Sequence, residues 1–196
     1  LSFVPGEKVS AFLPVREFAE GRFVLFATAR GVVKKTQLAE YSRPRPSGII
    51  AINLDAEDEL IAVRVTDGEQ QVALSTRAGM LVRFQESEVR PMGRAAEGVK
   101  GVNLEAGDRV VALDVVRPDA MLLTVSANGY GKRSAVDEYR LVHRGAKGVL
   151  TMNCTDKTGP VVGVEELVER EVVLEVRVAL QLLVAEIGGT TSVRVA

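Results

Sequence analysis

A repeat of about fifty residues constrains this chain more than any other feature. Three glycines, Gly31, Gly79 and Gly129, stand 48 and 50 residues apart, and the same chemistry recurs around each. Ahead of them lie apolar runs that end in a hydroxyl residue: Val24 to Thr28, Val72 to Thr76 and Leu122 to Ser126. Short, nearly continuous runs of Val, Leu and Phe read as strands buried on both faces. Each glycine then closes a hairpin. Asn128-Gly129 is the strongest turn signal, because both residues tolerate positive φ, whereas Arg30-Gly31 and Ala78-Gly79 rest on the glycine alone. Four residues after each anchor comes a cation, Lys35, Arg83 or Arg133, and nine after it an acid, Glu40, Glu88 or Glu138.

A polar connector carrying Arg43, Arg90 or Arg140 follows, then a closing apolar strand: Gly48 to Leu54, Gly98 to Leu104 and Gly145 to Met152, with Gly48, Gly98 and Gly145 setting the register. The next unit restarts with an acidic turn and an alternating strand, Asp58 to Val63 and Asp108 to Leu113. Four short strands per unit describe a propeller blade, in which stacked neighbours bury each other's faces. The expected fold is therefore all-β, an array of four-stranded blades. Three are complete, at roughly 7–54, 58–104 and 108–153, and a partial fourth occupies 161–196. In that last unit Gly188-Gly189 falls 59 or 60 residues after Gly129, and Arg194 falls one place late. Helical spacing of apolar residues is confined to about 165–187, where the irregularity reads either as an insertion or as missing sequence. An array this short does not close a ring, so further blades are expected before Leu1.

Charge is balanced overall, 25 Lys and Arg against 26 Asp and Glu, and with 46% apolar residues the composition is that of a folded protein. The balance conceals a segregation. Connectors 30–46, 77–101 and 130–148 hold five cations each against one, three and two acids, a net of +9, while the remainder has 10 basic and 20 acidic residues. In a blade array the three connectors recur at one angular position, and a positive track facing one way is the footprint of a nucleic-acid backbone binder. Charged turns are ordinarily solvated faces, but a cation placed only for solubility has no reason to return at one offset three times. Aromatic residues are 5% of the chain and Trp is absent, so Tyr41, Tyr130 and Tyr139 do not make a single-strand stacking platform. No helix-turn-helix or zinc-finger pattern reads bases. Duplex backbone recognition, with preference set by bendability, fits best.

Candidate catalytic groups are few. His143 is the sole histidine and lies in a basic loop; it reads as exposed or phosphate-contacting. Cys154, the sole cysteine, reads as a buried structural thiol and favours a reducing compartment. Neither a metal-ligand spacing nor a Walker-type loop occurs, and Gly145 to Gly148 is only a weak G-x-x-G. There is no apolar run long enough to span a membrane, and Leu1-Ser2-Phe3-Val4-Pro5 has no basic n-region or cleavage signature. The expectation is a cytoplasmic piece of a longer protein, with no catalytic residues and no metal of its own.

Several segments resemble a known family. Val33-Lys34-Lys35-Thr36, Val82-Arg83-Phe84-Gln85-Glu86-Ser87, Val89-Arg90-Pro91-Met92-Gly93, Gly98-Val99-Lys100-Gly101 and above all Asn128-Gly129-Tyr130-Gly131-Lys132-Arg133 are similar to the C-terminal domain of the DNA gyrase A subunit, over about Leu1 to Leu167. The resemblance implies a β-pinwheel, a propeller variant whose blades exchange a strand, with double-stranded DNA wrapped on its basic rim. It further implies a parent type II topoisomerase whose other parts, the gyrase B subunit together with the rest of the gyrase A subunit, carry ATP and magnesium and supercoil DNA. Carried over by position, the DNA contacts are Lys34, Lys35, Arg43, Arg45, Arg83, Arg90, Arg94, Lys100, Lys132, Arg133, Arg140, Arg144 and Lys147. The DNA-cleaving tyrosine of the family lies in another domain, so Tyr41, Tyr130 and Tyr139 are not assigned that role. The family's wrapping signature, Q-R-R-G-G-K-G, is absent; His143-Arg144-Gly145-Ala146-Lys147-Gly148 is similar to it, and the signature itself is expected upstream of Leu1. Two alternatives remain: the equivalent domain of a topoisomerase IV subunit, and a propeller scaffold that binds proteins through an apolar or mixed-charge face.

Overall fold

A computed structural model describes residues 9–45, 48–167 and 194–195. In chain order the strands are β1 (Phe23–Thr28), β2 (Val32–Gln37), β3 (Leu60–Thr66), β4 (Gln71–Thr76), β5 (Met80–Gln85), β6 (Val99–Lys100), β7 (Val110–Val116), β8 (Met121–Ser126), β9 (Tyr130–Ala135), β10 (Val149–Leu150), β11 (Val161–Leu167) and β12 (Arg194–Val195). They form three four-stranded sheets, ordered β3-β1-β2-β6, β7-β4-β5-β10 and β11-β8-β9-β12. All pairings are antiparallel except that of β12 with β9.

The hairpins form where the repeat places them. The amides of Gly31, Gly79 and Gly129 donate to the carbonyls of Thr28, Thr76 and Ser126, each at 3.0 Å, with the glycines at φ 80°, 86° and 78°. The hydroxyl that ends each apolar run belongs to the turn. Thr28 Oγ1 accepts from the Val32 amide and Thr76 Oγ1 from the Met80 amide, while Ser126 Oγ donates to the Thr158 carbonyl at 2.6 Å and lies 3.3 Å from the Tyr130 carbonyl. In the third hairpin only the glycine has positive φ; Asn128 instead spends its side-chain amide on the carbonyls of Asp156 and Lys157, at 3.1 and 3.0 Å. Strands β1, β4 and β8 are buried on both faces from their second residue onward, as their unbroken apolar character requires.

Sequence units and sheets do not coincide. The hairpin of one unit takes the alternating strand of the next unit on one side and its closing strand on the other, so that β3 and β6, both from the unit 58–104, complete the first sheet. The second sheet is completed in the same way by β7 and β10. Two sequence expectations are thereby corrected. The glycines that set the closing strands are Gly98 and Gly148, one residue ahead of β6 and β10, and not Gly145, whose amide donates to the Gly101 carbonyl at 2.6 Å. Gly48 to Leu54 forms no strand, because among the described residues no hairpin precedes β1 to receive it. The expected partial unit at 161–196 supplies β11 and β12 to the third sheet; its residues 168–193 and 196, including Gly188-Gly189 and most of the 165–187 irregularity, lie outside the described residues.

Burial is greatest between sheets. Leu25, Ala27 and Val33 of the first pack on Val72, Leu74, Val82 and Phe84 of the second, and Ala73 and Leu81 of the second pack with Val116 on Leu122, Val136 and Val161 around the third. This is the nearest-neighbour cohesion of a repeat array. Strand β7 lies against both β3 and β11, so these three gather at one edge of the array. The edges bearing β6 and β10 are therefore the outer ones.

Candidate nucleic-acid interface

After β2, β5 and β9 the chain makes a short 3-10 turn, Leu38–Tyr41, Glu86–Glu88 or Val136–Glu138. Each basic connector leaves this turn, and the second and third run along the outer edge of the preceding sheet. Pro91 bridges to Lys35 of β2, and Leu141 bridges to Arg83 of β5. Successive connectors are then strapped to the closing segment of the unit before. Asn53 Nδ2 donates to Ala95 O (2.7 Å), the Asn103 amide to Ala146 O (2.9 Å), and the Arg144 guanidinium to Lys100 O (3.1 Å). The three connectors thus join into one belt along the outer edge.

The cation four residues after each turn glycine does not, in the first two units, lie on that belt. Lys35 is buried, its ammonium 3.7 Å from the fully buried carboxylate of Glu86, 3.2 Å from the Glu86 carbonyl and 5.0 Å from the Phe23 ring centroid. Arg83 is buried too. Its guanidinium donates to Gln71 Oε1 (2.8 Å) and to the carbonyls of Val136 and Tyr139 (2.9 Å each), and burial lowers its pKa while Asp137 works the other way. Both residues therefore reach from one hairpin into the 3-10 turn of the next unit and fasten it. Arg133, at the same offset on β9, is exposed and has no partner among the described residues.

The lysines one place earlier act within a unit or against its neighbour's connector. Lys34 is fully buried and donates to the carbonyls of Ala51 (2.8 Å) and Arg94, with its ammonium 5.5 Å from the Phe26 ring centroid. Desolvation brings its pKa down to about 8; Glu40 opposes that shift and Arg94 adds to it. Lys132, exposed on β9, donates to Thr151 O at 3.2 Å. Lys34, Lys35 and Arg83 are thus corrected from surface cations to interior braces: each spends its charge inside the fold and presents none to solvent.

The rest of the expected set is at the surface. Arg43, Arg45, Arg90 and Arg140 are exposed, their side chains unpaired among the described residues, and Arg94 is half-buried. Lys100 donates to Asn103 Oδ1 at 2.5 Å; Lys147 pairs with Glu105 at 2.7 Å, both side chains largely exposed. Arg144 is half-buried, with Nε on the Glu88 carbonyl at 3.0 Å and its amide on Glu88 Oε2 at 3.1 Å. Glu88, whose recurrence is visible in the sequence, thereby clamps the loop 143–148 to the preceding sheet; His143 Nδ1 sits 3.2 Å from the same Oε2. Glu86 is the partner the sequence does not disclose, because its position is a valine, Val136, in the next unit.

Known proteins share this arrangement. The family described as DNA gyrase C-terminal domain, beta-propeller, matches residues 22–67, 70–117 and 120–165, most of the chain. Each matched stretch runs from the start of one hairpin into the next alternating strand, and the second and third also contain β6 and β10, the strands handed to the preceding sheet. The chain belongs to this family. Among its relatives is the DNA gyrase A subunit of Salmonella typhimurium, 56% identical over 94 residues, which is 48% of this chain and 11% of that protein. The counterpart from Buchnera aphidicola is 47% identical over 100 residues, 51% of this chain and 12% of that protein. Among solved structures, a C-terminal domain of DNA topoisomerase IV superposes with TM-score 0.75 at 31% identity, over 80% of this chain and 50% of that one. A DNA gyrase A C-terminal domain gives 0.72 at 27%, over 79% and 52%. The chain spans about half the length of those domains and a small part of the gyrase subunits.

Other groups in this gyrase-family domain are placed as follows. His143 has its side chain 96% exposed, which suits a surface contact and not a buried base. Cys154 is half-buried rather than buried, its thiol directed at the Arg77 carbonyl at 3.6 Å. Tyr139 is buried and hydrogen-bonded to Thr151 Oγ1 at 2.6 Å; Tyr41 is half-buried, donates to Ala51 O, and has its pKa raised, chiefly by burial. Among the described residues, no group of three or more His, Cys, Asp or Glu is placed to hold a metal, and no helix is long and apolar enough to cross a membrane.

Proposed function

We propose that this chain is a non-catalytic module that binds and bends double-stranded DNA along its outer edge, acting as part of a gyrase-type topoisomerase in the cytoplasm. Its partners in that reading are duplex DNA, a gyrase B subunit, and the remainder of a gyrase A subunit, with ATP and magnesium engaged on those other parts. One observation carries it: the connectors are strapped into a single belt on which Arg43, Arg45, Arg90 and Arg140 stand exposed and unpaired among the described residues. Arg94, Lys100, Lys132, Arg144 and Lys147 supply further charge beside them, and the last four are partly engaged with the protein. Arg133 joins this set through its exposure, although its offset is that of the buried fasteners. Phosphate recognition of this kind is tolerant of sequence, and the bending cost is offset as more of the backbone meets the curved track.

The test is fluorescence anisotropy with duplexes of unrelated sequence over a range of salt. Reversing Arg43, Arg90 and Arg140 together to Glu is expected to weaken binding to all duplexes alike and to flatten the dependence of log affinity on log salt, by about one unit of slope for each phosphate no longer neutralised. Affinity of the unaltered chain that does not change with salt overturns the reading. The likeness to a topoisomerase IV domain is the observation behind a second assignment, to that enzyme, with the same DNA chemistry.

A further inference from the structure

The first two hairpins are joined to the following unit by junctions of one design. At the first, Lys35 of β2 donates to the Glu86 carbonyl in the next 3-10 turn, β6 pairs with Val32 and Val33, and the amides of Gly101 and Val102 donate to the Gly31 carbonyl at 2.8 and 3.4 Å. At the second, Arg83 of β5 donates to the Val136 and Tyr139 carbonyls, β10 pairs with Met80 and Leu81, and the amides of Thr151 and Met152 donate to the Gly79 carbonyl at 2.8 and 3.3 Å. The third hairpin carries the same fittings: Arg133, the edge residues Tyr130 and Gly131, and the Gly129 carbonyl. Among the described residues, its edge holds only β12, which runs parallel instead of antiparallel and touches just Tyr130 and Gly131. Lys132 and Arg133 are left exposed, whereas their counterparts Lys34 and Lys35 on β2, and Val82 and Arg83 on β5, are buried. The matching half lies at the other end of the chain. Gly48 to Leu54 is a closing segment with no hairpin to join; Gly48 holds φ 79°, close to the 85° of Gly148 ahead of β10. Leu38 and Tyr41 occupy the places of Val136 and Tyr139, and Tyr41 is half-buried where Tyr139 is buried.

We propose that the first unit of a second copy of this chain docks on the β9 edge in place of β12, so that copies join head to tail. In the register of the two built junctions, Ile49 and Ile50 of the second copy pair antiparallel with Gly131 and Tyr130, its Ala51 and Ile52 amides donate to the Gly129 carbonyl, and Arg133 donates to the carbonyls of its Leu38 and Tyr41. An incompletely paired strand edge is a template for such addition. The apolar surfaces agree. Side chains alternate along a strand, and since Leu25 and Ala27 face the second sheet, Val24 and Phe26 face away from it with Leu38. At the other end Leu122 faces the second sheet, and Leu123 and Val125 face away with Leu167. Each end of the array thus carries half of a core of the kind found between its sheets. Opposite ends meet, so the interface is heterologous and leaves a free end for the next copy. The inference does not depend on the DNA reading; Arg133 stays available to phosphates only at the free end.

The experiment is done without DNA. Sedimentation of the unaltered chain is expected to show a mass that rises with concentration and passes two copies without a plateau. R133A is expected to associate about tenfold more weakly, the loss of hydrogen bonds from a charged donor, and to melt as the parent does, because Arg133 is exposed in the single copy. Register is read by oxidising two single-cysteine variants, I50C/C154S and Y130C/C154S. Their mixture is expected to give a disulfide-linked dimer that neither gives alone, since the pairing sets position 50 of one copy opposite position 130 of the next, within reach of that bond. A single-copy mass at every concentration overturns the proposal, as does association that R133A leaves unchanged. Linkage in I50C/C154S or Y130C/C154S alone overturns it too, because it marks a two-fold interface instead of a head-to-tail one.

Discussion

At the level of single residues, the recurrence of a cation four places after each turn glycine was legible, but its purpose was not. A fixed register states that equivalent residues share an environment; it does not state whether that environment is solvent or interior. Lys35 and Arg83 share a buried one, where removing a partner leaves an uncompensated charge. The surface cations Arg90 and Arg140 recur as regularly, and only their exposure separates the two sets. Lys34 allows a titration test. Its pKa of about 8 lies below the ordinary lysine value of 10.5, so between these pH values the unfolded chain holds a proton the folded chain has released. The contribution of this amine to stability is therefore complete above 10.5 and is lost as pH falls through 8. Urea unfolding at pH of about 7.5 and about 9.5 is expected to show the parent gaining stability relative to K34M on going to the higher pH; a change in the other direction contradicts the burial account.

For the elements, the hairpins were readable because a buried strand needs an unbroken apolar run and a tight turn needs its glycine, both local requirements. The exchange of closing strands was not readable from spacing, since which edge a two-residue strand joins depends on what lies beside it in space. Gly98 marks that junction. At φ 112°, a Cβ there would stand 2.7 Å from the Val33 carbonyl oxygen, whereas at Gly107, φ 81°, a Cβ meets nothing within 4 Å. Both alanine substitutions incur backbone strain, about 1–3 kcal/mol. G98A is expected to lower the melting temperature further than G107A, because it also pushes β6 off β2. Equal melting temperatures count against the close approach.

For the molecule as a whole, cohesion comes from cores between sheets. Leu74 is fully buried in the cluster that joins the first sheet to the second. L74A is expected to cost about 2–5 kcal/mol. Hydrogen exchange should report lost protection in β1 and β2 as well as in β4 and β5; loss confined to β4 and β5 would show the sheets to be independent. The charge pattern was legible at this scale, since connectors at one position in a repeat must fall on one side of the array. What remained hidden was how much of that charge the fold consumes for its own fastening.

Strand exchange also governs how such an array can be divided. The first sheet draws on residues between 23 and 100, the second on residues between 71 and 150, and the third begins at 121. The spans overlap like roof tiles, so a protease nick or a gene breakpoint inside an overlap severs the supply of strands to two sheets at once. Removing one full period leaves every remaining sheet its four strands, which makes the fifty-residue step the natural quantum by which such a protein can be shortened or lengthened.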